Sequence, residues 1–257
     1  MSLTISAGQV AALIADPSSI SGYSSSEPII ITGNITFSQA NSLNAVNATY
    51  IQATITEATV TELSGIAVDN SSRTTLNKYT ITVSDTSATA AELTAVQALT
   101  SVAVDASNIT SIESSSSSDI TALFTATTLP TGVNADPITV SDTTISATTL
   151  NAIDGYTTGA VTATAATTIT GPVADVLTAM SSAGITDEAD VAVTVTDTSV
   201  DAEALNDVDG LTSGVVTCSN ATTLTGTDTE VEAALTANAS VDGDGDKDTI
   251  DGLDAVN

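Results

Sequence analysis

Basic residues are nearly absent from this 257-residue chain, which has three Lys and Arg against 31 Asp and Glu and contains no histidine. The net charge of −28 excludes nucleic acid and anionic lipid as partners, because binding to their phosphate groups needs Lys and Arg. Without histidine, catalytic triads built on His and histidine zinc sites are excluded. The one cysteine, Cys218, cannot form a disulfide framework, and we expect it to be a small buried hydrophobe.

Aromatic residues and long apolar runs are also scarce. Aromatics make up 2% of the chain, and no run reaches the roughly 18 apolar residues of a membrane span, so no membrane insertion is expected. No Sec-type signal peptide is visible at the N-terminus. By contrast, the chain contains 48 Thr and 31 Ser, and frequent Thr, Val and Ile favour β-strands. We therefore expect thin, repetitive layers with a core of small aliphatic side chains.

Internal repeats dominate the sequence. Residues 81–101, 138–159 and 193–214 align with one another, and the shared aspartates Asp85, Asp142 and Asp197 give periods of 57 and 55. Each copy has a second half, at residues 102–123, 160–180 and 215–235, so the basic repeat is about 28 residues. Looser copies occur at residues 34–50 and 53–68. Such a short repeat cannot bury its apolar face alone, and stacking neighbours buries it.

The third copy shows the local pattern. Residues 193–196 alternate apolar and polar, which predicts a strand, and residues 197–199 are typical of a turn. Residues 201–208 have the spacing of a short helix, for which Gly210 would supply a left-handed stop. The prediction is a solenoid of parallel β-strands with short helices or turns, in ~28-residue coils within ~55-residue double units, either a β-solenoid or leucine-rich-repeat-like. Tandem small domains are the alternative.

The predicted organisation has three parts. Residues 1–29 form an N-terminal capping segment, and residues 30–240 form the repeats, with copies near 81–136, 138–190 and 193–240. Residues 241–257 form an Asp-rich segment and the start of a further repeat. The run of serines at residues 114–118 is expected to be an exposed loop.

One segment predicts a metal site. Aspartates alternate with glycine in a way that can wrap a hard cation such as Ca²⁺, and the expected ligands are Asp242, Asp244, Asp246, Asp248 and Asp251. If the segment is aligned with an EF-hand loop, position 12 is Leu253 and not Glu, so the usual bidentate ligand is missing. A solvated acidic linker is the alternative. No catalytic residue and no organic cofactor site are predicted.

The shared aspartates admit two interpretations. Stacked in a solenoid, Asp85, Asp142 and Asp197 could form a cation ladder. Alternatively, each caps a helix or closes an Asx-turn in its own coil.

The phrases TAAELTAV, ATTLNAIDGYTTG and AEALNDVDGLTSG resemble repeats of very large secreted or surface proteins of marine picocyanobacteria. The shorter TAAEL kernel is similar to repeats of phage tail-fibre proteins. The resemblance covers about residues 30–257, and the first copy departs from it at residues 96–99, where Val-Gln-Ala-Leu replaces the Asp-Gly pattern. The resemblance implies an extracellular structural or adhesive repeat protein without catalytic activity.

These observations lead to one functional expectation with two alternatives. We expect a non-enzymatic, calcium-stiffened component of a cell surface, filament or matrix, exported by a non-classical or C-terminal signal and prone to self-association. The alternatives are a tail-fibre or adhesin module that binds glycan, and a solenoid enzyme that cleaves polysaccharide with paired carboxylates.

Overall fold

The computed structural model describes residues 2–66, 76–238 and 249–253. The chain divides into two compact units. The first comprises Met1–Glu113 and Asp119–Asn134, and the second comprises Ser114–Ser118 and Ala135–Asn257. Both are mixed α/β, with parallel sheets and short helices, which confirms this part of the prediction.

In the first unit, strands alternate with short helices. The elements are β1 (Leu3–Ser6), α1 (Val10–Ala15), β2 (Ile29–Ile35), α2 (Phe37–Val46), β3 (Ile51–Ile55), α3 (Val60–Leu63), β4 (Lys78–Thr80), β5 (Ser87–Ala88) and α4 (Ala90–Gln97). Strands β1 to β4 form one parallel sheet, in which β2 pairs with both β1 and β3. The chain continues into β6 (Ser111–Ser115) and α5 (Ser117–Phe124), whose residues are divided between the two units.

In the second unit, the same alternation continues with more strands. The elements are β7 (Ile138–Val140), β8 (Thr144–Ser146), α6 (Ala147–Asp154), β9 (Val161–Thr162), β10 (Thr168–Gly171), α7 (Val173–Ser181), β11 (Ile185–Thr186), β12 (Ala192–Val195), β13 (Ser199–Asp201), α8 (Ala202–Asp209), β14 (Val216–Thr217), β15 (Thr223–Thr225), α9 (Asp228–Asn238) and β16 (Ile250–Asp251). Every pairing described among these strands is parallel.

Strand pairing advances by a shorter interval than the sequence repeat predicts. Thr144 pairs with Thr168, and Thr168 pairs with Ala192, so both steps have the same length. Helices α6 to α9 begin at residues 147, 173, 202 and 228, which is closer to the predicted spacing. Strands β12 and β13 precede α8 as β7 and β8 precede α6, but the strand that pairs with β10 is β12 and not β13. The helix spacing therefore differs from the pairing interval.

This change of pairing partner explains the longer of the two sequence repeats. Strands β8 and β10 precede α6 and α7 and pair with each other. Strands β13 and β15 precede α8 and α9 and pair in a separate two-stranded sheet, while β12 and β14 continue the earlier sheet. One long sequence repeat is therefore longer than two pairing intervals, because β13, which precedes α8, lies in a different sheet from β8, which precedes α6.

The core is built from small aliphatic side chains, as the composition predicts. Helices α4, α6, α7 and α8 bury the residues at their first, fourth and seventh positions, for example Ala147, Leu150 and Ile153 in α6. These positions lie on one face of a helix. In the sheet of β8 to β16, Ile145, Ile169, Val193, Val216 and Ile250 are aligned and buried.

Two local predictions are wrong. Gly210 has φ −68° and ψ −13°, so α8 does not end in a left-handed residue. The helix ends in a tightened right-handed turn, and Ala98 has nearly the same conformation after α4, so no glycine is required. The serine run is not an exposed loop, since Ser115 ends a strand and is buried and Ser117 begins α5.

Candidate functional site

The shared aspartates bind the first turn of the helix in the preceding repeat. The amide of Val60, the first residue of α3, donates to Asp85 Oδ2 at 2.9 Å. The amide of Ser117 donates to Asp142 Oδ2 at 2.6 Å, and the amide of Val173 donates to Asp197 Oδ2 at 2.7 Å. Each aspartate therefore links two successive strand–helix repeats.

The physical reason lies in the helix terminus. The first amides of a helix have no acceptor within the helix, and a carboxylate there also interacts favourably with the helix dipole. In α3, the hydroxyl of Thr59 accepts from the amide of Glu62, the third helical residue, at 3.2 Å. This leaves the first amide available for Asp85 of the following repeat. Local and inter-repeat capping together satisfy the terminus.

Both sequence interpretations of these aspartates need correction. They do not cap helices of their own coil, because each carboxylate accepts from the first amide of the helix in the preceding coil. Nor do they form a cation ladder, because within the described residues no group of three or more His, Cys, Asp or Glu side chains is arranged to hold a metal ion. Each carboxylate instead accepts a hydrogen bond from a backbone amide.

Sequence reasoning missed a fourth member of this set. The amide of Phe37, the first residue of α2, donates to Glu57 Oε2 at 2.8 Å. Glu57 lies in the looser copy at residues 53–68, near the position that aspartate occupies in the later copies. The sequence signal that could have identified it is a glutamate, in place of aspartate, near the aligned turn position.

A shared threonine forms a second recurring link. The hydroxyl of Thr157 donates to the carbonyl of Asp136 at 2.7 Å and accepts from the amide of Gly159 at 2.9 Å. Thr100 and Thr212 make the same pair of bonds, with the carbonyls of Tyr79 and Val191. These threonines stand in the repeated phrases ALTS, GYTTG and GLTSG.

Asparagines join successive helices. Asn151 on α6 donates to the carbonyl of Asp175 on α7, and Asn206 on α8 donates to the carbonyl of Glu230 on α9, both at 3.0 Å. The first copy has Thr94 at this position, and its hydroxyl is shielded from solvent without a hydrogen-bond partner.

The departure from the repeat phrase in the first copy has a structural counterpart. Gln97 stands where the later copies have Asp154 and Asp209. Its side chain donates to the carbonyl of Val102 at 3.0 Å and accepts from the amide of Val104 at 2.9 Å. The amide side chain thereby holds the segment that follows α4.

The predicted calcium ligands fall mainly outside the described residues. Asp242, Asp244, Asp246 and Asp248 lie outside them, and Asp251 is exposed in β16. Within the described ranges, no group of three or more His, Cys, Asp or Glu side chains is arranged to hold a metal ion.

Cys218 is completely buried, as predicted, and it is not a reactive site. Burial, with smaller contributions from Asp197 and Asp251, raises the pKa of its thiol to about 12. The thiol therefore stays protonated at neutral pH and is a poor nucleophile.

Searches with protein-family models, among curated proteins and among solved structures find no match to this chain. In the part of the chain that the structure describes, no helix has both the length and the apolar character needed to cross a bilayer.

Proposed function

We propose that the protein is a non-enzymatic extracellular structural repeat protein, a component of a cell surface, filament or matrix. This proposal rests on the hydrogen bonds that the recurring polar side chains make. The shared Asp, Thr and Asn residues bind backbone groups of neighbouring repeats. Side chains that recur in each repeat and bind the adjacent repeat join the repeats along the chain, as a structural protein requires.

The proposed architecture is a solenoid in each of the two units. Parallel pairing at a nearly constant interval, repeated over β8, β10, β12 and β14, is the pattern that stacked coils produce. Each coil buries its apolar strand residues against the next, so stability grows with the number of coils.

Calcium binding is proposed for the segment from Asp242 to Asp251. Its alternating aspartates provide the oxygen ligands that Ca²⁺ prefers, in a chain whose net charge of −28 attracts divalent cations. Differential scanning calorimetry with Ca²⁺ or EDTA tests the site. We expect Ca²⁺ to raise the melting temperature of the natural protein and of Asp190→Asn/Glu203→Gln, and to leave Asp244→Asn/Asp246→Asn unchanged. An equal response of all three proteins would place the ion elsewhere, and no response would refute the site.

The experiment for the function as a whole is localisation combined with a search for activity. Immunogold labelling of intact cells that carry the gene should place the protein outside the cell. Label confined to the cell interior would contradict the proposal. Specific binding to a glycan array would favour an adhesin or tail-fibre module, and reducing ends released from a polysaccharide would favour an enzyme.

A further inference from the structure

Two carboxyl groups in the second unit are held in unfavourable surroundings. The Oδ2 atoms of Asp136 and Asp187 are both shielded from solvent without a hydrogen-bond partner. Asp136 is 8% exposed. A buried carboxylate oxygen that lacks a partner destabilises the folded state, because the water that solvated it is not replaced.

The position of Asp136 does not require an acid. The carbonyls of Tyr79, Asp136 and Val191 accept equivalent threonine hydroxyls, so these residues correspond in the three copies. Tyr79 and Val191 are both 1% exposed. The repeat therefore accommodates an uncharged side chain here, and the second copy has placed a titratable one in the core.

Among the described residues, no cation offsets these two carboxylates. The stretch from residue 156 to residue 171, which adjoins both, contains Tyr156 and no charged side chain. The charged groups on the adjoining elements are the acids Asp142, Asp154, Glu188 and Asp190, and the described part of the second unit contains no Lys or Arg. Like charge adds to burial at Asp187, where Glu188 is adjacent.

We infer that Asp136 and Asp187 form an acid-sensitive stability switch, which destabilises the second unit at neutral pH and tightens it when they take up protons. Burial raises the pKa of both carboxyl groups above the usual aspartate value of about 4. Their protonated forms are thus favoured in the folded state. The associated stability is fully present below the unfolded-state pKa and is lost as the pH rises through the folded-state pKa.

The inference is independent of the proposed function. Asp209 has a similarly shielded Oδ1, but it contacts Thr249 beside the proposed calcium segment and is left out of the test.

The test is the melting temperature between pH 7.5 and 5.0, above the isoelectric point of about 4.1, with EDTA present. General charge repulsion also weakens on acidification, so the matched control Glu203→Gln/Glu232→Gln removes two exposed charges on α8 and α9. At 1 M salt, where screening acts within about 3 Å, repulsion is suppressed and buried groups are affected much less.

In 1 M salt we expect the natural protein and the control to melt at a higher temperature at pH 5.0 than at pH 7.5. Asp136→Asn/Asp187→Asn should show less than half of that rise, and it should melt higher than the natural protein at pH 7.5. Asp136→Val introduces the residue that the third copy has at this position, Val191, and should behave in the same way. It serves as a second variant in case the asparagine side chain does not fit. A profile of the buried-site variants parallel to that of the control would overturn the inference, as would an absence of any rise in the natural protein.

Discussion

Removal of the Asp142 carboxylate tests the inter-repeat cap most sharply. Asp142 accepts two bonds from Ser117, one from the amide at 2.6 Å and one from the hydroxyl at 3.1 Å. A hydrogen bond to a charged acceptor contributes about 1.5–3 kcal/mol, and a carboxylate at a helix N-terminus adds about 0.3–1 kcal/mol. Because Asp142 is only partly buried, we expect a loss of about 2 kcal/mol for Asp142→Ala, nearer the lower end of these ranges.

Hydrogen exchange reports this loss at the bond itself. If the Ser117 amide exchanges by local opening, a loss of about 2 kcal/mol corresponds to roughly thirtyfold faster exchange. Asp142→Asn keeps an acceptor and should lose less. The exposed Asp190→Ala removes the same charge and should leave the Ser117 amide unchanged. Equal protection of this amide in Asp142→Ala and Asp190→Ala would refute the capping account.

Three further predictions concern single positions. Thr94→Asn should stabilise the first unit by about 1 kcal/mol in urea unfolding, because the new amide can donate to the next helix as Asn151 does. The adjoining cavity of about 320 Å³ has room for the larger side chain. A destabilised variant would contradict this prediction. Gly159→Ala should lower the free energy of unfolding by about 1–3 kcal/mol, because the new Cβ would lie 2.6 Å from the Asp136 carbonyl carbon. Gly155→Ala, with no contact under 3.4 Å, should be nearly neutral. Equal melting temperatures of the two variants would be inconsistent with that contact. Cys218 should resist alkylation at pH 8 until urea is added, because burial raises its pKa to about 12; rapid labelling of the native protein would show that the thiol is accessible.

The class of the fold could be predicted because the pattern is local and repeated. Alternation at residues 193–196 corresponds to β12 at Ala192–Val195, and the helical spacing at residues 201–208 corresponds to α8 at Ala202–Asp209. Side-chain periodicity reports these elements directly, because each buries one face.

The pairing interval could not be read in the same way. The period of the sequence repeat counts positions along the chain, whereas pairing depends on which strand lies beside which. Strands β8 and β13 occupy the same position of the repeat but lie in different sheets, and no residue pattern reveals that difference. Two equal pairing intervals account for most of the long repeat.

The partners of the shared residues were equally hidden. An aspartate after a strand is typical of a local cap, and nothing in the sequence near Asp197 indicates that Val173 is its donor. That link depends on the pairing interval. The threonine of GYTTG was visible as a repeated letter, but its acceptor, the carbonyl of Asp136, follows only from the fold.

Electron microscopy of the purified full chain, in Ca²⁺ and in EDTA, tests the central claim most directly. A calcium-stiffened structural repeat protein should form regular filaments or sheets in Ca²⁺ at physiological salt and should dissociate in EDTA. Monodisperse single molecules under both conditions would contradict the claim.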